Sequence, residues 1–204
     1  MYKSFVKRLI DVILSGIAII LLAVPMLIIA LAIKIDDPGP VMFKQRRVGQ
    51  KKNGEITYFM IWKFRSMKMA TPYDVPTHLL KNPEQYITKI GKFIRKTSLD
   101  ELPQIFQVFT AKLSLIGPRP ALWSQEDLIA EREKYGANDV KPGISGWAQI
   151  NGRDELEIDV KARFDGEYAE NISFAMDIKI FFMTIKNVLS HEGVVEGGPK
   201  EMKK

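Results

Sequence analysis

The sequence predicts an α+β protein that is attached to a membrane by one hydrophobic insertion near its N-terminus. Three observations lead to this class: an uncharged apolar run at 12–33, a hairpin signal at Asn53-Gly54, and helical patterns of apolar residues in the second half of the chain. A chain of 204 residues is long enough to bury one sizeable core. We therefore expect a single domain over 1–204, in which short β-hairpins and amphipathic helices accompany the apolar segment.

Composition and charge exclude several classes of protein. With 46% hydrophobic and 26% charged residues, the chain can bury a core and is not intrinsically disordered. A mean hydropathy of −0.07 excludes a polytopic membrane protein, and the absence of cysteine excludes disulfides and thiolate metal sites. A net charge of +6 predicts an anionic partner, which the composition leaves open between lipid headgroups, phosphates and nucleic acid.

The apolar run at 12–33 is long enough to cross a membrane. Its 22 residues would form a helix of about 33 Å, against a hydrocarbon layer of about 30 Å. Pro25 in its middle removes a backbone hydrogen bond and bends or breaks a helix. Basic residues lie on both sides of the run, with Lys3, Lys7 and Arg8 before it and Lys34, Lys44, Arg46, Arg47, Lys51 and Lys52 after it.

Two membrane geometries are compatible with this pattern. Cations at both ends suit a re-entrant hairpin, in which both ends return to the cytoplasmic face, because the positive-inside rule predicts a one-sided bias for a spanning helix. A spanning helix with a kink at Pro25 and a cytoplasmic C-terminal domain is equally compatible with the residues. Either geometry gives a membrane protein with one hydrophobic insertion.

The rest of the chain is expected to alternate strands, turns and helices. Asn53-Gly54 is typical of a tight hairpin turn, so we predict a β-rich stretch at 38–69 with strands around 46–48 and 56–59. Three prolines indicate a loop at 70–86. Further along the chain we expect helices at 86–96, 100–116, 123–135, 155–170 and 174–189, a strand at 146–150, and a flexible tail at 191–204.

The last of these helices carries an apolar stripe. Its members are Phe174, Ile178, Phe181, Phe182, Ile185, Val188 and Leu189. Such a stripe usually packs into a core, but in a chain that lies on a membrane it can also lie among the lipid headgroups. The sequence leaves these two placements open.

The most informative run for chemistry begins at Arg95 and contains the adjacent carboxylates Asp100 and Glu101. They follow two cations and open a predicted helix, where the helix dipole favours an ionised carboxylate. An ionised aspartate can act as a nucleophile or bind Mg²⁺. The structural alternative is a capping box formed by Ser98 and Glu101, with an acidic first turn that has no chemical role.

Three other cations are candidates for binding an anion. Arg119 lies between two prolines in a rigid turn, and its planar guanidinium suits phosphate oxygens. Arg153 follows the turn at Asn151-Gly152, and Lys63 lies in a run that alternates cations with apolar residues. Each of them could instead be an ordinary solvated residue. Isolated cations with two carboxylates suit a diphosphate and Mg²⁺, whereas the glycine motifs of common nucleotide sites are missing.

Together and in this order, these residues resemble the bacterial sugar transferase family, whose small monotopic members are phosphoglycosyl transferases that act on polyprenyl phosphate. Each block of the resemblance alone is modestly specific, but the blocks in register are hard to reach by chance. They cover essentially the whole chain and comprise Lys7-Arg8-x-x-Asp11, Pro38-Gly39-Pro40-Val41, Lys44-Gln45-x-Arg47-x-Gly49, Lys63-Phe64-Arg65-Ser66-Met67, Arg95-x-Thr97-Ser98-Leu99-Asp100-Glu101-Leu102-Pro103-Gln104, Leu115-Ile116-Gly117-Pro118-Arg119-Pro120, Lys141-Pro142-Gly143-Ile144-x-Gly146-Trp147 and Gln149-Ile150-Asn151-Gly152-Arg153.

The resemblance implies a fold and a location. The segment at 12–33 would be a re-entrant membrane helix that is broken at Pro25 and packed against a small cytoplasmic domain with amphipathic interfacial helices. The protein would then be monotopic, at the cytoplasmic face of the bacterial inner membrane.

The resemblance also implies a reaction. Asp100 would attack the β-phosphate of a UDP-sugar, release UMP and hold the phosphosugar covalently until polyprenyl phosphate, such as undecaprenyl phosphate, accepts it. Mg²⁺ would lie at Asp100 and Glu101, with Glu101 as ligand or base. The substrate-binding positions that the resemblance implies are Lys63, Arg95, Arg119, Arg153 and Asp165.

The implied partners are a UDP-sugar donor, a polyprenyl phosphate acceptor and anionic membrane lipids, in the first membrane step of surface polysaccharide or glycoconjugate biosynthesis. The sugar stays open, as does a homodimer or contact with downstream glycosyltransferases. No nucleic acid is expected, because the cations are scattered and no aromatic stacking platform accompanies them. The alternative from another class is a membrane-anchored, non-catalytic scaffold of a glycan-assembly complex.

Overall fold

The chain runs from a long N-terminal helix to an exposed C-terminal one. The computed structural model describes residues 2–71, 82–152 and 156–189. The predicted tail at 191–204, most of the predicted loop at 70–86, and Arg153 lie outside the described residues.

Helices and short strands alternate along the described residues. A turn of π-helix at Tyr2–Val6 leads into α1 (Lys7–Asp36), which is followed by β1 (Met42–Lys52) and β2 (Glu55–Phe64). Next come α2 (Lys89–Lys96), α3 (Gln104–Phe109), β3 (Ser114–Ile116), α4 (Glu126–Glu133), β4 (Gly143–Ser145), α5 (Trp147–Ile150), α6 (Ile158–Glu170) and α7 (Phe174–Leu189). Short 3₁₀ turns lie at Pro83–Tyr86, Leu99–Glu101 and Ala137–Asp139. This mixture of helix and strand behind a long apolar helix confirms the predicted class at that level.

The hairpin signal at Asn53-Gly54 is confirmed. Strands β1 and β2 pair antiparallel, with Lys52 opposite Glu55 next to the turn. Asn53 and Gly54 both have positive φ, at 52° and 84°, which the tight turns that match strand twist require. The strands extend further than predicted, because their ends carry charged residues that conceal the strand pattern.

Helix α1 is one helix of 30 residues that contains the whole apolar run. Pro25 lies inside it, and the helix continues on both sides of the proline. By length and composition α1 can cross a membrane, a property that buried core helices and signal sequences share. Core burial does not apply here, because many of its large apolar side chains are exposed, namely Leu9, Ile13, Leu14, Ile17, Ile20, Leu21, Val24, Leu27, Ile28, Leu31 and Ile35.

Both ends of α1 are bound to the rest of the protein. Near its start, the buried carboxylate of Asp11 accepts hydrogen bonds from Ser114 Oγ at 2.8 Å and from the backbone N–H of Leu115 at 3.0 Å. At its end, Asp36 accepts from the backbone N–H of Ile90 at 2.8 Å. A buried carboxylate between two donors is costly to remove, because both donors would lose their partner. The two ends of the apolar helix are therefore fixed to the domain at separate places.

Three apolar clusters form the core. One joins the last third of α1 to Phe64 and Ile94, and a second joins Val48 on β1 to α4 and α6. The third joins β3 and α5 to Tyr168 on α6 and Ile180 on α7. Helix α6 belongs to the second and third clusters, so it links the hairpin side of the domain to the C-terminal helix.

The helix predicted at 100–116 is wrong in its second half. Helix α3 ends at Phe109, and Ala111 has a φ of 64°, which stops the helix. Residues 114–116 form β3 instead, with Ile116 opposite Ser145 in a parallel pair with β4. Apolar spacing in a short segment cannot separate a buried strand from a helix, and the pairing partner lies far along the chain.

The strand predicted at 146–150 is also wrong, since Trp147–Ile150 is the short helix α5. The strand lies just before it, where Gly143 passes so close to the backbone of Gly117 that a Cβ at either position would overlap its neighbour. Helices α2, α4 and α6 are shorter than predicted, since α2 begins at Lys89 after its N-cap Thr88, α4 covers only Glu126–Glu133 and α6 begins at Ile158.

Helix α7 occupies the predicted range, but its apolar stripe faces outward. Ile180 is fully buried and packs against the domain, whereas Phe174 and Phe182 are 55% and 62% exposed. Ile178, Phe181 and Ile185 are exposed as well. The sequence left two placements open for this stripe, and the structure does not pack it into the core.

Candidate active site

Asp100 and Glu101 lie in the 3₁₀ turn that connects α2 to α3. Ser98 precedes this turn in the left-handed region, with a φ of 57°, and its side chain makes no capping hydrogen bond. These residues therefore do not form the capping box that was the structural alternative. A non-glycine residue in this conformation is uncommon outside turns and functional sites. The two carboxylates face cations from other parts of the chain.

Glu101 is held by two cations. Its Oε1 accepts from Lys63 Nζ at 2.7 Å and from Arg119 Nη2 at 2.7 Å, and its Oε2 accepts from Arg119 Nη1 at 3.3 Å. Lys63 comes from β2 and Arg119 from the segment after β3, so the glutamate connects three separate stretches of chain. The Glu101 side chain is only 18% exposed, so the pair with Arg119 is partly desolvated and stronger than a surface ion pair.

Asp100 has fewer bonding partners among the described residues than Glu101. Its Oδ2 lies 4.0 Å from Lys63 Nζ, and its side chain is 14% exposed. Its carboxylate accepts no side-chain hydrogen bond from the residues that the structure describes. The aspartate thus lies beside a cluster of positive charge while keeping its oxygens available for another ligand.

The environment shifts the pKa values of the two carboxyl groups in opposite directions. Burial raises the pKa of Asp100, and the charge of Glu101 raises it further, against the opposing effect of Lys63, Arg95 and Arg119. Burial also opposes ionisation of Glu101, but the charges and hydrogen bonds of Arg119 and Lys63 outweigh burial and hold its pKa well below the ordinary value. The pair therefore combines one carboxylate whose ionised form is favoured with one that is more basic, a separation typical of acid–base and nucleophilic sites.

The backbone around Arg119 is fixed by hydrogen bonds to four successive carbonyl groups. Those of residues 118 and 121 accept from the backbone N–H of Gly143 and of Val48, both at 2.9 Å. Those of residues 119 and 120 accept from Arg132 Nη2 at 3.0 Å and from Arg47 Nη1 at 3.1 Å. The prolines on either side of Arg119 limit its backbone further. The guanidinium therefore extends from a rigid segment, as the sequence interpretation expected.

Asp165 lies behind this segment rather than beside Asp100. It is almost fully buried and accepts from Arg132 Nε at 2.8 Å and Nη2 at 2.5 Å. The same Nη2 donates to the backbone carbonyl of Arg119. Sequence reasoning missed Arg132, because its helix reads as charged and exposed and no pattern distinguishes this buried arginine from its neighbours.

Two candidate positions remain, Arg95 and Arg153. Arg95 lies in the last turn of α2, and its charge acts on Asp100. Arg153 lies outside the described residues, so its predicted role stays a prediction.

The carboxylates of the site could hold a Mg²⁺ ion only together with water and substrate phosphate. Across the described ranges, no group of three or more histidine or acidic side chains could hold a metal by itself. Mg²⁺ commonly takes one or two carboxylates and completes its shell with water and substrate phosphate. Asp100 can supply such an oxygen directly, whereas Glu101 would have to give up part of its bonding to Lys63 or Arg119.

Comparison with known proteins identifies the family that the chain resembles. A model of the family described as bacterial sugar transferase matches residues 2–191. The chain is 40% identical over 196 residues to the UDP-glucose:undecaprenyl-phosphate glucose-1-phosphate transferase of Escherichia coli (strain K12). It is 38% identical over 195 residues to the UDP-N-acetylgalactosamine-undecaprenyl-phosphate N-acetylgalactosaminephosphotransferase of Aeromonas hydrophila.

The extent of these matches differs between relatives. They cover 90% and 93% of this chain but only 40% and 45% of those two proteins. A match to the uncharacterized sugar transferase EpsL of Bacillus subtilis (strain 168), at 39% identity over 188 residues, covers 92% of this chain and 89% of EpsL. The chain belongs to the bacterial sugar transferase family.

The opposed pKa shifts lead to a prediction about Glu101→Gln. Removal of the Glu101 charge takes away a neighbouring anion that disfavours ionised Asp100, while the charges of Lys63 and Arg119 continue to favour it. We expect the pKa of Asp100 to fall, as measured by ¹³C NMR titration of labelled aspartate carboxyl carbons in detergent. The exposed Glu170→Gln is the matched control and should leave the Asp100 titration in place. An unchanged or higher Asp100 pKa in Glu101→Gln would show that the two carboxylates do not interact.

Proposed function

We propose that this protein transfers a sugar-1-phosphate from a UDP-sugar to polyprenyl phosphate, such as undecaprenyl phosphate, with release of UMP. The observation that carries the proposal is the Asp100 carboxylate, which accepts no side-chain hydrogen bond from the described residues and lies beside the cationic cluster of Lys63 and Arg119. The named reactions of the Escherichia coli and Aeromonas hydrophila relatives support the substrate classes. The product would begin a surface polysaccharide or glycoconjugate.

In the first step, an Asp100 oxygen attacks the β-phosphorus of the UDP-sugar. The bond from that phosphorus to the oxygen bridging the two phosphates breaks, and UMP leaves with the bridging oxygen. The phosphosugar is then an acyl phosphate on Asp100. The raised pKa of Asp100 suits this role, because a more basic carboxylate is the better nucleophile once ionised.

In the second step, a phosphate oxygen of polyprenyl phosphate attacks the same phosphorus. The bond to Asp100 breaks, the carboxylate is regenerated, and polyprenyl-diphosphate-sugar leaves the site. Dividing the exchange in this way allows a water-soluble donor and a lipid acceptor to use one site in turn.

The cations neutralise the phosphates in both steps. Lys63 and Arg119 are fixed by Glu101 before substrate arrives, so little reorganisation is needed when charge develops on the transferred group. Arg95 and Arg153 are proposed to add positive charge for the diphosphate or the nucleotide. Mg²⁺ held by Asp100 and Glu101 would supply further charge neutralisation at the phosphate oxygens when bound.

Asp165 is proposed to act on the site through Arg132. A carboxylate that is fully buried in an ion pair is poorly placed to bind substrate itself. Its pair with Arg132 instead fixes the guanidinium that donates to the backbone of Arg119. Asp165 would then be a positioning residue of the phosphate-binding arginine.

We further propose that α1 enters the membrane and returns its two ends to the cytoplasmic face, with the bend at Pro25, so that 12–33 is a re-entrant segment. The contacts of Asp11 and of Asp36 with the same domain support this, because a helix that crosses about 30 Å of hydrocarbon would carry its ends to opposite sides. The exposed apolar faces of α1 and α7 are suited to hydrocarbon and to the interfacial region. This arrangement corresponds to a single monotopic domain at the inner membrane of a bacterium.

The reaction is tested by UMP release from a panel of UDP-glucose, UDP-galactose and their N-acetylated 2-amino analogues, with undecaprenyl phosphate in detergent. We expect one or a few donors to give UMP, and Asp100→Asn to lose activity on the order of a thousandfold or more. The exposed Asp159→Asn is the matched control and should retain activity. If Asp100→Asn turned over like the wild type, the nucleophile assignment would be wrong, and a wild-type protein inactive with every donor would favour the scaffold.

The membrane geometry is tested by tags placed before Met1 and after Lys204. Because both ends of α1 are proposed to lie at one face, both tags should react with a membrane-impermeant reagent in inside-out vesicles and be protected in intact spheroplasts. Detergent-opened spheroplasts, in which both tags react, serve as the control for reagent access. Tags on opposite sides of the membrane would identify α1 as a spanning helix.

A further inference from the structure

A cavity lies at the start of α1, away from the Asp100 turn. Its volume is about 230 Å³, and none of the proposed catalytic or substrate-binding residues lines it. Its walls come from the first residues of the chain, from Ser114 at the start of β3, from the segment before β4 and from Tyr168. Four cations line it: Lys3, Lys7, Arg8 and Lys141.

The positive charge of this cavity is only partly neutralised within the protein. Two carboxylates, Asp11 and Asp139, line the wall against the four cations. Asp11 is already bound by Ser114 and Leu115, and Lys7 is paired at 2.6 Å with Asp177, which lies outside the wall. Arg8 donates to two neutral backbone carbonyls of α3, at 2.6 and 2.7 Å, which satisfy its hydrogen bonds but not its charge.

Lys141 has no hydrogen-bond acceptor for its ammonium group among the described residues, and it is partly buried. Burial lowers its pKa, and so do the nearby charges of Arg8, Lys52 and Lys7, whereas only Asp11 opposes them. A lysine held among other cations without an acceptor is stabilised by an anionic ligand.

Exposed apolar side chains lie between the cavity-lining residues at the start of α1. Phe5 and Leu9, which alternate with the lysines and arginine of the cavity along the first turns, are 67% and 47% exposed. If α1 lies in the membrane as proposed above, its basic first turns lie at the depth of the lipid headgroups. The volume is smaller than the 300–1,000 Å³ of sites that enclose whole organic ligands, so a headgroup fits better than a nucleotide sugar.

We propose that this cavity is a phosphate-binding site, separate from the Asp100 site, that takes the phosphate group of an anionic ligand at the membrane surface. Lys141 and Lys3 would donate to the phosphate oxygens, and Arg8 would supply charge from behind. The shared chemistry admits three sources: a phospholipid such as phosphatidylglycerol, polyprenyl phosphate, or inorganic phosphate. The location of the cavity at headgroup depth depends on the proposed membrane insertion, whereas the binding of a phosphate group depends on the cavity alone.

Binding is tested by native mass spectrometry of the full chain released from neutral phosphatidylcholine nanodiscs. Phosphatidylglycerol, undecaprenyl phosphate and inorganic phosphate are titrated separately, and the wild type should retain one adduct. Lys141→Gln and Lys3→Gln should each weaken that adduct about tenfold, the usual loss for one charge-assisted hydrogen bond. Lys134→Gln, which removes a highly exposed lysine that does not line the cavity, is the charge-matched control and should bind as the wild type does.

The three probes distinguish the source of the phosphate group, and the variants test whether the cavity binds it. Adducts of either lipid at lower concentration than inorganic phosphate would identify a lipid as the source, and equal affinity for inorganic phosphate would identify a free anion. Thermal midpoints equal to the wild type would show that the variants fold. No adduct with any probe, or equal weakening by Lys134→Gln, would overturn the site. Asp100→Asn should still bind, so a failure of this proposal and a failure of the transfer reaction are measured independently.

Discussion

The ion cluster in which Lys63 and Arg119 hold Glu101 is the interaction on which the rest of the site depends. Glu101 is largely removed from water, so its charge would be costly without two cations at hydrogen-bond distance. Because those cations come from β2 and from the segment after β3, the cluster also fixes where the hairpin meets the parallel strand pair. Asp100 lies beside this charge and accepts no side-chain hydrogen bond from the described residues. Glu101 is thus held in ion pairs, whereas Asp100 is available for the proposed role of nucleophile.

The support for this cluster extends away from the reacting atoms. The four carbonyl groups at 118–121 are each bound by a donor from another element, and one of those donors, Arg132, is fixed by buried Asp165. Rigid placement lowers the cost of directing a long arginine side chain at a ligand. Helix α1 is attached to the same unit at both ends, so the apolar helix keeps a fixed position relative to the site.

Much of this could be predicted from local patterns. Asn53-Gly54 identified the hairpin because the turn demands positive φ, and the uncharged run at 12–33 identified the long helix because few other structures are so apolar. The errors fall where distant residues decide the structure. Segment 114–116 became a strand because β4, far along the chain, pairs with it. The sequence left the placement of the α7 stripe open, because apolar spacing alone does not say which surface a helix faces, and the structure shows the stripe exposed. No local signal distinguished buried Arg132, or placed Asp165 behind Arg119.

The most direct test of the central claim is mass spectrometry of the peptide that contains Asp100 after reaction with the preferred UDP-sugar alone. We expect a phosphosugar on Asp100 in an acid-quenched sample and its loss when undecaprenyl phosphate is added before the quench. UMP release that requires both substrates together, with no adduct on Asp100 at any time, would contradict the claim.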